Sequence, residues 1–227
     1  MRHIKRRRYL IAFVITLSVF LLGLLVGFSF NKQREVYLSD IMDNQRLDYD
    51  SLQLQYAFID VMKTEGVCEG ITQALSKSVS DLEELRVKIE DYTGDDDFSV
   101  ANYKILKRDY LLAQIKYWLL NKQSEKVCNE DTVSVLYFYA NDDVCKDCST
   151  QSYVLTYLKT LFGEKLLVFS IDSEFQDEPL VGILTRTYNI KEYPTVVVGN
   201  DVFPELMDSD KVMPIICNHF KEKPSVC

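Results

Sequence analysis

Apolar and polar positions fall into three regimes along the chain, and each implies a different kind of element. Residues 9–30, Tyr9 to Phe30, form an unbroken run of 22 uncharged, mostly apolar positions. A helix of that length can cross a hydrocarbon core of about 30 Å while satisfying its own backbone. The polar face that a surface helix of a globular domain requires is missing. The pattern therefore predicts a transmembrane helix over 9–30. From residue 34 onward the apolar positions recur every three to four residues. The first set is Leu38, Ile41, Met42, Tyr49, Leu52, Tyr56, Ile59 and Met62. The second is Cys68, Ile71, Leu75, Val79, Leu82, Leu85, Ile89 and Tyr92, and the third is Tyr103, Leu106, Tyr110, Ala113, Tyr117 and Leu120. That spacing is helical, with Gly66 and Gly94 as breaks. Short connections make antiparallel neighbours, so a three-helix bundle or stalk is expected over 34–122.

Beyond residue 130 the period shortens. Thr132 to Tyr139 (TVSVLYFY) is rich in β-branched and aromatic residues and predicts a buried strand. Further strands are expected at Leu166–Ile171, Val196–Val198 and Asp201–Glu205. Helices are expected after Cys148, over Leu180–Tyr188 and over Asp208–Lys221.

Charge adds a direction to this layout. Residues 1–8 hold five of the 26 Lys and Arg and no acid. The other 21 basic residues and all 34 acidic ones lie in residues 31–227, a net of −13. A basic flank favours the cytoplasmic side of a membrane. The expectation is a signal-anchor with a cytoplasmic N-terminus and residues 31–227 extracytoplasmic in a single-pass cell-membrane protein. A cleaved signal peptide is the alternative; it calls for a shorter apolar core and a small-x-small site, where this run ends Gly-Phe-Ser-Phe. The acidic balance argues against a nucleic-acid partner. With 47% hydrophobic residues a core can form, and 8 Gly and 5 Pro exclude collagen-like or Pro-rich architecture.

The candidate chemistry lies in Cys145-Lys146-Asp147-Cys148, placed between a predicted strand and a predicted helix, and in Tyr193-Pro194-Thr195, which leads into a Val-rich strand 46 positions after Cys148. Together these features resemble the thioredoxin superfamily over about residues 131–221. The resemblance implies an α/β thioredoxin-like fold, here preceded by the N-terminal transmembrane helix and the all-α bundle. The organisation expected is a basic tail at 1–8, the span at 9–30, the helical bundle at 31–127, and a thioredoxin-like domain with a C-terminal tail at 128–227. The resemblance also implies a cis Tyr193–Pro194 bond and a substrate groove at Tyr193, Pro194 and Thr195. Cys145 would be an exposed nucleophile at the helix N-terminus, where the dipole favours a thiolate, and Cys148 would resolve the mixed disulfide. Lys146 would favour the thiolate, whereas Asp142, Asp143 and Asp147 would oppose it. The chain departs from the family at Val144, where cytosolic thioredoxins carry an aromatic residue, and at Lys146-Asp147, where they carry Gly-Pro. The strand stretch Leu136 to Tyr139 lacks their buried acid, and the His between the cysteines of oxidising relatives is missing too.

Six cysteines in an extracytoplasmic segment suggest disulfides. Beyond the 145–148 pair, Cys68, Cys128, Cys217 and Cys227 allow three connectivities. In an alternating bundle Cys68 and Cys128 share one end, which favours Cys68–Cys128 and a local Cys217–Cys227 bridge. Cys227 as a mobile resolving thiol, a zinc set of Cys145, Cys148, Cys217 and His219, and Cu(I) on Cys145 and Cys148 are the competing readings. The leading expectation is a membrane-anchored, outward-facing thiol–disulfide oxidoreductase. It would act on protein thiols or disulfides, be serviced by a separate redox partner protein, and need no cofactor or resident metal. The alternative is a non-catalytic thioredoxin-fold scaffold or binding module with structural disulfides.

Overall fold

The computed structural model describes residues 10, 11, 13–24, 67–92 and 97–227. The expected first bundle helix over 34–64 lies outside these residues, as does most of the acidic turn at 95–97. The chain divides into two compact units, Met1–Met62 and Lys63–Cys227.

In the first unit, residues 13–24 are helical and exposed. No helix among the described residues is long and apolar enough to cross a membrane. The expected transmembrane helix over 9–30 is therefore corrected. The signal-anchor and the single-pass cell-membrane placement with residues 31–227 extracytoplasmic depended on it and are corrected with it. Spanning needs a long continuous apolar helix, and none occurs among the described residues.

The second unit opens with a helical hairpin, α1 (Val67–Glu90) and α2 (Asp97–Val127). The outer face of α1 carries i,i+3 and i,i+4 ion pairs: Lys77–Asp81, Arg86 with Glu83 and Glu90, and Lys88–Glu84. Such exposed pairs contribute a few tenths of a kcal/mol each, about 0.2–0.5. A Cys68–Cys128 disulfide joins the first turn of α1 to the residue after α2.

Next come β1 (Val133–Tyr139), α3 (Cys148–Phe162), β2 (Leu166–Asp172), α4 (Pro179–Thr187), β3 (Thr195–Val198), β4 (Asp201–Phe203) and α5 (Ser209–His219). The sheet order is β2-β1-β3-β4. Strand β1 is parallel to β2 and antiparallel to β3, and β4 is antiparallel to β3. Tyr137 stands level with Ser170 on one side and Val196 on the other.

β1 reads as a continuous apolar run because both of its faces are covered. Val133, Val135 and Tyr137 point to one core, with Val196, Val198, Leu155 and Leu158 of α3, and Val212 and Ile216 of α5. Leu136 and Phe138 point to the other, with Phe169, Ile171, Val197, Leu111 and Ile115 of α2, and Val181 and Leu184 of α4. The result is a three-layer α/β/α unit. Gly163, at φ +60°, ends α3 in a conformation that glycine accepts without steric cost. Pro179 opens α4, and the Glu178 side chain accepts from Leu180 N–H. Asp208 caps α5 by accepting from Lys211 N–H. The mixed sheet, flanking helices and order of elements are those of the thioredoxin-like fold that the sequence resembles.

Candidate functional site

At the carboxyl end of β1 the chain turns sharply before α3. Val144 N–H and Cys145 N–H both donate to the Asn141 carbonyl, at 2.9 and 2.8 Å. Asn141 N–H donates to the Glu174 carboxylate at 2.8 Å, which ties this turn to the loop after β2. Cys145 is disulfide-bonded to Cys148. Helix α3 starts at Cys148, with Asp147 at the N-cap making no side-chain capping bond. Cys145 thus precedes the helix by three residues, and Cys148 is the sulfur in the first turn. The dipole acts mainly over that first turn.

Exposure also differs from expectation. Cys145 is 2% exposed and Cys148 4%. The two pack with Ala140 against Tyr139 and Tyr193. The predicted exposed nucleophile is therefore buried in the bonded state, because tyrosines from β1 and from the loop before β3 lie against it. Its neighbours Val144 and Lys146 are exposed. Asp143 and Asp147 are exposed on the same loop.

The Tyr193–Pro194 peptide bond is cis. Pro194 is buried, Tyr193 is half-buried against the cysteine pair, and the Thr195 hydroxyl donates to the Glu192 carbonyl at 2.6 Å. Tertiary structure thus brings Cys145, Cys148 and Tyr193 together. It does not assemble the zinc alternative, since Cys217 is bonded to Cys227 and no cluster of three or more metal-ligating side chains occurs among the described residues. With Cys68–Cys128 as the third bridge, no cysteine is free, and Cys227 carries no mobile thiol.

Sequence reasoning missed several residues that organise the site. The Tyr137 hydroxyl donates to the Cys148 carbonyl at 2.6 Å. Its ring stacks on Tyr139, with centroids 5.7 Å apart and planes 28° apart. Burial pushes the Tyr137 phenol up to about 12. Tyr139 is raised further by burial, then by the nearby Asp172 carboxylate. Gln151, wholly buried one turn into α3, accepts from Met207 N–H at 2.7 Å and donates to the Met207 carbonyl at 3.2 Å. At the end of β2, buried Asp172 pairs with Lys107 of α2 at 2.5 Å. One of these residues carried a weak signal: Gln151 is the polar position on the otherwise apolar stripe Cys148, Leu155, Leu158 and Phe162 at helical spacing. Lys107 and Asp172 are 65 residues apart, and nothing local links them.

A cleft of about 530 Å³ opens on the flank of α3. Cys148, and not Cys145, forms part of its wall.

No protein-family model matches the chain, and no curated protein matches it. Solved structures do. One is thioredoxin-2, described as a component of malaria parasite protein secretion machinery. It is 24% identical, with 40% of this chain and 85% of that one covered and a TM-score of 0.34. Chloroplastic thioredoxin z is 17% identical over 44% of this chain and 88% of its own, with a TM-score of 0.33. The germline-specific thioredoxin Deadhead of Drosophila melanogaster is 24% identical over 43% of this chain and 92% of its own, with a TM-score of 0.32.

Proposed function

We propose that the chain is a thiol–disulfide oxidoreductase that works through its Cys-Lys-Asp-Cys pair. The observation that carries this reading is a Cys145–Cys148 disulfide at the start of α3, packed against the tyrosine of a cis Tyr193–Pro194 step. Cys145 lies between exposed neighbours and is the sulfur a substrate reaches. In the oxidising direction a substrate thiolate attacks Cys145 Sγ, the Cys145–Cys148 bond breaks, and Cys148 leaves with the electron pair. A second substrate thiolate then displaces Cys145, leaving a substrate disulfide and a dithiol in the protein. Reduction runs through the same steps in reverse. Two electrons move between sulfurs, so the exchange itself requires no organic cofactor, and a separate redox protein would restore the starting state. Tyr193, Pro194 and Thr195 are taken as the substrate-binding stretch, where an extended segment can be held by main-chain hydrogen bonds. Lys146, Asp143 and Asp147 surround the pair and set the thiolate's electrostatics. Residues 128–227 are taken as the redox domain, with the helical part of 31–127 as its support.

The test is equilibration in graded glutathione buffers, followed by alkylation and mass mapping of each cysteine. The 145–148 pair alone should titrate, between about −270 and −120 mV, the span of known dithiol oxidoreductases. If the pair resists reduction as strongly as the other two bridges, the catalytic reading fails. The non-catalytic scaffold then takes its place.

A further inference from the structure

Cys148 must gain or lose a proton each time the pair opens or closes, yet it is buried. The strand beneath it carries tyrosines and no acid. The cleft on the flank of α3 meets this need. Its wall includes Cys148, the hydroxyl-bearing Ser149, Ser152 and Ser170, and one carboxylate, Asp142. The Ser149 hydroxyl, on the residue next to Cys148, donates to Asp142 Oδ1 at 3.5 Å. The volume admits bridging water with polar partners on several sides.

The other charged or titratable groups around the cleft are accounted for. Tyr137 spends its proton on the Cys148 carbonyl. Tyr139, close to Tyr103 and Tyr110 of α2, is held in its neutral form by burial. Asp172 is paired with Lys107, and Glu174 accepts from Asn141 N–H. Lys159 lines an adjoining hollow, and Tyr153 is exposed at the rim. Asp143, Lys146 and Asp147 are exposed on the loop outside the wall, and Tyr193 packs against the pair without lining the cleft.

We infer that the cleft is the proton route of Cys148 and that Asp142, acting through Ser149 or one water, accepts its proton. The inference rests on the oxidoreductase reading. With a disulfide between Cys145 and a substrate thiol in place, Cys148 S–H passes its proton toward Asp142 and its sulfur attacks Cys145 Sγ. The Cys145–substrate bond breaks, and the substrate sulfur leaves with the electron pair and takes up a proton. Asp142 then releases its own to solvent. In the opposite direction the same route returns a proton to the Cys148 thiolate. Asp142 is a positioning residue for proton transfer and touches neither reacting sulfur.

The experiment uses the full chain with its disulfides intact. Excess glutathione opens the pair to a mixed disulfide on Cys145, and mass mapping confines the count to the 145 and 148 peptides. Ring closure is then followed after removal of free glutathione, by acid quench, from about pH 5.5 to pH 8. A carboxylate acceptor makes the wild-type closure rate nearly level up to about neutrality. Asp142→Asn should lose roughly tenfold per pH unit on going down and be about 100-fold slower at pH 6. Ser149→Ala keeps the carboxylate and should show a smaller loss of the same kind. Both positions are exposed, and unchanged melting curves confirm that the variants fold. An Asp142→Asn profile parallel to wild type overturns the inference while leaving the oxidoreductase reading in place. A pair that forms no mixed disulfide with glutathione at any pH overturns both.

Discussion

Replacing Lys107 with methionine isolates one contact through which the helical hairpin holds the end of β2. Asp172 stands level with Tyr139 on the neighbouring strand, and Tyr139 packs on the cysteine pair. The Asp172 side chain is 6% exposed and that of Lys107 26%. Lys107 Nζ lies 2.5 Å from one carboxylate oxygen and 5.5 Å from the centroid of the Phe175 ring, while Glu174 N–H donates to the other oxygen at 2.9 Å. Exposed ion pairs contribute about 0–1 kcal/mol. Removing one partner of a buried pair costs about 3–5 kcal/mol, because the remaining charge is left in a medium that solvates it poorly. The lysine here keeps some contact with water, so the lower part of that range applies, about 3 kcal/mol for Lys107→Met. For a unit of this size that lowers the melting temperature by roughly 6–12 °C. The assay is urea unfolding at neutral pH of wild type, Lys107→Met, Asp172→Leu and the double variant. The double variant should be more stable than Lys107→Met alone, since it carries no orphaned charge. If Lys107→Met costs under about 1 kcal/mol, the pair behaves as a surface bridge and does not anchor the hairpin.

Two further outcomes follow from the same geometry. Burial raises the phenols of Tyr137 and Tyr139 in the folded state, so the folded form holds protons that the unfolded form releases above about pH 10. Their contribution is whole below that value and is lost as pH rises toward the folded values; stability should therefore drop between about pH 10 and 12, and Tyr137→Phe with Tyr139→Phe should flatten the drop in denaturant titrations. The Cys68–Cys128 bridge closes a loop with a sequence separation of 60, for which chain entropy gives about 4 kcal/mol. Replacing both residues with serine should lower unfolding stability by about 2–4 kcal/mol while the redox titration of the 145–148 pair stays where it was; a shift in that titration would couple the hairpin to the site.

Elements with short-range causes are legible in the order of residues alone. Thr132–Tyr139 announces a strand through β-branched and aromatic residues, and the observed β1 differs from it by one residue. The periodic apolar positions from Cys68 to Leu120 announce helices, and α1 and α2 cover that range. The candidate site is legible as the spacing of two motifs, Cys145-x-x-Cys148 and Tyr193-Pro194-Thr195. The apolar run over 9–30 suggests a span, yet no helix among the described residues is long and apolar enough to cross a membrane. Sequence reasoning also places Cys145 too close to the helix and too near the surface. Its burial comes from Tyr139 and Tyr193, which lie 6 and 48 positions away in the chain.

By itself, then, the sequence determined what depends on neighbours: where helices and strands run, where glycine ends α3, and which residue types carry sulfur chemistry. Tertiary structure alone decided what depends on register and packing. The level pairing of β1 with β2 put Tyr139 beside Asp172, and the docking of α2 set Lys107 against that carboxylate. The crossing of α3 over β1 aimed the Tyr137 hydroxyl at Cys148 and left Asp142 and Ser149 in the wall of one cleft. Hydrogen bonds and ion pairs act over a few ångströms, and only the folded chain brings residues tens of positions apart within that reach.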